Sequence, residues 1–164
     1  MTTSGEFLES THDGARKVSR VTKVISASAQ DIFDLLANPA MHSVIDGSDS
    51  VLSARDSAPT RLTLGAKFGM SMKVGVPYKI TNEVVEFVEG SQIAWRHFGG
   101  HIWRYILKPV AGASEDSAAT EVTEEFDYAK ARSPFFLKLA GYPDKNRKSM
   151  EKTLVRMQAH FTNK

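Results

Sequence analysis

Three side chains in this sequence combine a reactive group with a telling position. His97, Tyr105 and Glu124 lie in strand-like stretches, in phase with apolar neighbours. His97 shares the phase of Ile93 and Trp95, and Glu124 that of Val122, Phe126 and Tyr128. An imidazole and a carboxyl group in a water-poor hollow could act as general acid and base, with the Tyr105 phenol assisting. A carboxylate among apolar neighbours is costly unless a donor reaches it or its pKa rises. Glu124 therefore needs Arg104, Tyr105 or another donor nearby. The plainer alternatives are a satisfied internal polar pair, or a strand edge that turns Glu124 to water.

His42 and Asp46 are four residues apart, a spacing that could place both on one helical face. Pro39 and Gly47 argue equally for a loop in which Asp46 caps a turn. His97 and His101 could face each other across a hairpin and hold a metal weakly. No third ligand is apparent, so no metal site is expected. Gly65, Gly69 and Gly75 lack the Gly-Lys-Ser/Thr context of a phosphate loop, and no G-x-S-x-G nucleophile motif occurs. No cofactor is expected.

The elements that must position these residues follow from periodicity. Lys17 to Ala27 reads as the first strand, and Ser28 can cap a helix ending at Asn38-Pro39. A helical turn or loop carrying His42 follows, then strands at Asp49–Ala54 and Arg61–Leu64. Phe68, Met70, Met72 and Val74 alternate with polar or small residues, which predicts a strand with one apolar face. The strand from Pro77 to Glu89 changes phase at Val85, predicting a bulge near 83–85. The next two strands meet at Gly99-Gly100. A three-residue loop there pairs Trp95 with Trp103 and Ile93 with Tyr105, keeping every aromatic on one face; a two-residue loop would send one set into water. A last strand, Glu121 to Tyr128, precedes a helix from Ser133 to Phe161. Gly141-Tyr142-Pro143 should interrupt that helix, with Asp144 recapping it.

This order predicts an α+β chain: an antiparallel sheet, helices on one face, and a hollow beneath the last helix. The predicted wall of that hollow is Met70, Met72, Tyr78, Trp95, Trp103, Tyr105, Phe126, Tyr142, Met150 and Leu154, with His42 and Asp46 at its mouth. The same residues could equally fill a solid core.

At 164 residues the chain suits one domain, here 17–164, behind a flexible tail over 1–16. Charges are interspersed and nearly balanced, 21 Lys and Arg against 19 Asp and Glu, so net charge gives no reason to propose nucleic acid or an anionic membrane as partner. There are no cysteines, which removes disulfides, thiolate metal sites and a cysteine nucleophile. No apolar run approaches a membrane span, and the polar N-terminus lacks a secretory pattern, so a cytoplasmic location without integral membrane association is expected.

Three stretches carry a family likeness: SASAQDIFDLLANPAMHSVIDGS, EVVEFVEGSQIAWRHFGGHIWRYILKP, and TEVTEEFDYA with GYPDKNRKSMEKTLVRM. Together they resemble the START-like (SRPBCC, helix-grip) superfamily of the major birch pollen allergen, in particular its polyketide cyclase/dehydrase-like branch. The resemblance implies a curved antiparallel sheet wrapped around a long C-terminal helix, with two short helices after the first strand. It implies a lipid or polyketide-like ligand held in an apolar cavity. Alternatively, it implies a cyclase or dehydratase acting on a polyketide, or a protein-interaction module of the same fold. A monomer or a homodimer would be compatible with it.

Overall fold

The computed structural model describes residues 6–112 and 114–163. Eight strands form one antiparallel sheet: β1 (Phe7–Asp13), β2 (Val18–Ile25), β3 (Val51–Ala54), β4 (Lys67–Val74), β5 (Val76–Val88), β6 (Gln92–His97), β7 (Ile102–Pro109) and β8 (Thr120–Asp127). Their spatial order is β1-β2-β8-β7-β6-β5-β4-β3. Helices α1 (Ala29–Ala37) and α2 (His42–Ile45) follow β2, while α3 (Pro134–Leu139) and α4 (Tyr142–Thr162) close the chain. The curved sheet wraps α4 in a helix-grip fold, with α4 packed on β1, β2 and β8. No described helix is long and apolar enough to cross a membrane.

Local chemistry explains the element ends. The Ser28 hydroxyl accepts from the Asp31 N–H and starts α1, which turns Ile32, Phe33 and Leu36 into the core. Burying each such side chain contributes roughly 1.5–3 kcal/mol. The β6–β7 hairpin has the three-residue loop, with Trp95 opposite Trp103 and Ile93 opposite Tyr105. The β5–β6 register shifts between Val84 and Glu86, where the change of phase predicts a bulge.

Four expectations need correcting. The tail expected over 1–16 includes strand β1, which pairs with β2 and is tied to α4 where Ser10 Oγ donates to Glu151. The remainder of that expectation at 1–5 lies outside the described residues. FLESTHD has little apolar alternation, and its strand character comes from a partner distant in sequence. Arg61–Leu64 is not a strand; Leu62 instead plugs the core from a loop, its N–H donating to the Ala37 carbonyl at 2.7 Å. Helix α4 begins at Tyr142 rather than at Asp144. Pro143 fits its first turn, where the missing N–H has no ladder partner to lose, and Gly141 at φ 76° makes the break. The two short helices follow the second strand, because β1 precedes the strand expected to be first.

The outer face of the sheet carries an ion-pair row. Arg104 donates to Glu86 and Glu125, and Arg20 reaches the second oxygen of Glu125. This row leaves the inner face free for the apolar and polar residues that form the site.

Candidate functional site

The antiparallel register of β7 and β8 sets the centre of the site. Glu124 lies opposite Tyr105 and, on its other side, opposite Val21 of β2. Cross-strand partners share a face, so both side chains turn inward. The Tyr105 hydroxyl donates to Glu124 Oε1 at 2.8 Å. Glu124 Oε2 is buried and has no hydrogen-bond partner among the described residues.

Burial, helped by the nearby Asp46 charge, pushes the Glu124 carboxyl up to about 8, while the Tyr105 bond opposes that shift. Burial and the adjacent carboxyl together hold the Tyr105 phenol well above its ordinary value. Glu124 is therefore protonated near neutral pH. Because Oε1 accepts from Tyr105, its proton belongs on Oε2, where it faces the interior as an unmatched donor.

Trp95 adjoins Tyr105, with ring centroids 5.7 Å apart. His42 stacks on Trp95 at 4.7 Å, and Phe68 meets both rings edge-on. The His42 Nε2 is 2.8 Å from the Leu36 carbonyl oxygen. A carbonyl can only accept, so the proton sits on Nε2 and Nδ1 carries the lone pair. Burial drives the His42 pKa down to about 4, so the ring is neutral at pH 7.

Asp46 follows α2 half-buried. Its carboxylate accepts from the N–H groups of Ser48, Ser50 and Val51, and its carbonyl accepts from Arg156 on α4. Gly47 then passes so close to α4 that a Cβ would collide with the Ser149 oxygen and the Thr153 nitrogen.

The structure thus brings Tyr105 and Glu124 together, but not Glu124 and His97. His97 lies four residues along β6 from Ile93, the residue opposite Tyr105, which is about 13 Å of strand. At the hairpin tip its ring stacks on His101 at 4.3 Å, and its Nδ1 accepts from the Gly99 N–H. Burial lowers His97 to about 4; burial and then His97 lower His101 to about 3. His42 lies inside the core rather than at a mouth, with Asp46 beside it. Among the described residues, no group of three His, Cys, Asp or Glu could hold a metal ion.

Of the expected wall, Met70, Met72, Trp95, Tyr105, Phe126, Met150 and Leu154 are buried in one continuous core, and Trp103 is half-buried against it. Tyr78 and Tyr142 are instead exposed, because β5 at Tyr78 and the start of α4 reach past the covered part of the sheet. Two surface depressions lie elsewhere. One is lined by Phe7, Glu151, Lys152, Val155 and Arg156, the other by residues 53–57 with Ser71 and Lys79; none of the expected wall lines either.

Sequence reasoning missed Asn82. It is buried opposite Phe68 and His97, and its Oδ1 has no partner among the described residues. Its signal was available, since Asn82 stands in the apolar phase of Ile80 and Val84.

No protein-family model matches the chain. The uncharacterized protein Rv0088 of Mycobacterium tuberculosis H37Rv is 31% identical over 153 residues, covering 90% of this chain. The chain spans 65% of that relative's length. Among solved structures, protein Ms6760 from Mycobacterium smegmatis superposes with a TM-score of 0.71 at 17% identity, covering 96% of this chain and 99% of that one. An AHSA1-like protein from Aeromonas hydrophila gives 0.56 at 15% identity, covering 86% and 93%. The likeness to these solved structures establishes the fold.

Proposed function

We propose that the protein binds a small hydrophobic molecule, a lipid or polyketide-like compound, between the sheet and α4. One observation carries this reading: Glu124 Oε2 is buried in the core with no hydrogen-bond partner among the described residues, and burial, pushing the carboxyl up to about 8, makes it an unmatched donor. A buried donor without an acceptor is costly, and a ligand oxygen at that point would remove the cost. The matching ligand is an apolar or aromatic molecule bearing a carbonyl, ether or hydroxyl oxygen. Met70, Met72 and Met150 provide adaptable side chains for room around it. This is the class of ligand that the resemblance to the polyketide cyclase/dehydrase-like branch of the START-like superfamily implies.

Calorimetric titration with a polycyclic aromatic ketone and with the matching hydrocarbon tests the reading. The ketone should bind more tightly. Glu124→Gln, which keeps a donor at the same place, should retain that preference, while Glu124→Leu should abolish it. Equal binding of ketone and hydrocarbon by the wild type would overturn it.

A second reading is a cyclase or dehydratase. It is favoured by the Glu124 pKa of about 8, which suits a general acid working near neutral pH. His97 has no place in that chemistry, at about 13 Å of strand from the residue opposite Tyr105; the neutral His42, stacked on Trp95 beside Tyr105, is the base this site offers. Turnover of a polyketide analogue by the wild type, lost in Glu124→Gln while binding persists, would select this reading. Return of the analogue unchanged would remove it.

A further inference from the structure

One end of the molecule gathers large apolar side chains that are mostly exposed. On α3, Phe135, Phe136 and Leu139 are 76%, 60% and 75% exposed. Phe98, at the tip of the β6–β7 hairpin, is also exposed. Both belong to one surface, because the Arg132 N–H just before α3 donates to the Gly99 carbonyl. Gly100, at φ 92°, lies so close to the Lys130 carbonyl that a Cβ would stand 2.6 Å from it. Large apolar side chains clustered in this way mark an interaction surface.

Cations surround these tips. Lys130, Arg132 and Lys138 are exposed, and Lys17 joins them where its carbonyl accepts from the Tyr128 N–H. None of these four makes an ion pair with another described residue. The acids of this end are already engaged: Asp13 with Arg16, Asp127 with Arg104, and Asp144 with Arg147. A chain with a formal charge of only +2 thus concentrates unmatched positive charge around its apolar tips.

We propose that this end docks on an anionic lipid bilayer, with α3 and Phe98 entering the headgroup boundary and Lys17, Lys130, Arg132 and Lys138 meeting lipid phosphates. Short apolar projections within a basic ring are what an anionic interface binds. A second copy of the chain fits less well, because a two-fold contact would set cationic ring against cationic ring. A groove-bound peptide fits less well too, since neither surface depression lies at this end. The proposal is independent of the internal ligand, and its test uses none.

Co-sedimentation with phosphatidylcholine vesicles, with and without phosphatidylglycerol at about one quarter of the lipid, decides it. Anionic vesicles should bind about tenfold or more tightly than neutral ones, and added salt should erase the difference. Phe135→Ser/Leu139→Ser should lose binding to both vesicle types. Lys130→Glu/Lys138→Glu should lose only the anionic preference. Circular dichroism identifies any variant that fails to fold; should the apolar one fail, the charge variant decides alone. No binding to anionic vesicles would overturn the proposal, as would wild-type binding by the folded variants. A dimer in light scattering that Phe135→Ser/Leu139→Ser abolishes would assign the surface to self-association instead.

Discussion

Tyr105 and Glu124 face each other across β7 and β8, with the phenol donating to Glu124 Oε1 at 2.8 Å. Strand register creates this pair. A one-residue slip of β8 against β7 would turn Glu124 to the outer face, where Glu125 now lies with Arg104 and Arg20. The two neighbouring glutamates therefore have opposite roles. Glu125 pairs with two guanidinium groups in the outer row, and Glu124 is a neutral carboxyl in the core.

That difference sets a pH dependence of stability. Glu124 ionises near 4.3 in an unfolded chain and near 8 in the fold. The unfolded state loses its proton first, so stability falls as pH rises between these values and levels off above 8. His42, His97 and His101 act in the opposite sense. Their folded pKa values, about 4, 4 and 3, lie below the unfolded value of about 6.5, so stability falls as pH drops from 6.5 toward 4. Between pH 6.5 and 8 Glu124 lowers stability by about 2 kcal/mol, while the three imidazoles, half-protonated at pH 6.5 in the unfolded chain, together raise it by about 1 kcal/mol. Urea denaturation at half-unit steps should show stability rising by about 1 kcal/mol from pH 6.5 to 8 in Glu124→Gln and falling slightly in the wild type. An equal slope in both would reject the neutral Glu124.

His42 supports the site through two contacts, its stack on Trp95 and its bond to the Leu36 carbonyl. His42→Phe keeps an aromatic ring over Trp95 and leaves that carbonyl without its donor. The expected loss is about 1–3 kcal/mol. Trp95 fluorescence should change as acid protonates the ring near pH 4, and the change should vanish in His42→Phe. Fluorescence midpoints at the same pH in both proteins would place the transition elsewhere.

The parts of this fold that were legible in the sequence are those where periodicity and packing agree. Phe68, Met70 and Met72 alternate cleanly, and the aromatics flanking Gly99-Gly100 tolerate only one hairpin register. β1 was not legible, because FLESTHD becomes a strand only by pairing with β2. Leu62 was misread because one buried residue in a loop resembles one residue of a strand. In the site, Glu124 and Tyr105 stood out as polar groups in an apolar phase, and Asn82 gave the same signal unnoticed. The separation of His97 from Glu124 was beyond phase reasoning. Phase fixes the face a residue occupies, not its distance along the strand from a residue on another strand.

On the outer face, Arg104 donates through Nε and Nη2 to Glu86, and through Nη1 to Glu125, which is 5% exposed. Among the described residues, removing the guanidinium leaves Glu125 paired with Arg20 alone. Arg104→Met should therefore cost about 3–5 kcal/mol, the range for stripping a partner from a buried charge. Arg104→Lys should recover part of that, since a single ammonium cannot reproduce the forked geometry. Chemical denaturation of the two variants measures both values. A loss below about 1 kcal/mol in Arg104→Met would mean that the row behaves as a solvated surface.

If the proposed ligand binds inside the grip, the joint between α3 and α4 is where the fold would open to admit it. Helix α3 contributes no buried residue of its own, and Gly141 breaks the ladder at φ 76°, a conformation that other residues adopt at a cost. The core strands β7 and β8 are, by contrast, bonded on both sides along their length. Amide exchange should therefore be fast across 134–145 and slow at Tyr105 and Glu124. Saturation with the aromatic ketone should slow exchange in 134–145 as the joint closes over it. Gly141→Ala should destabilise the fold by about 1 kcal/mol and weaken ketone binding, because the strained joint no longer closes in the same geometry. Unchanged exchange over 134–145 in the presence of bound ketone would show that entry runs elsewhere.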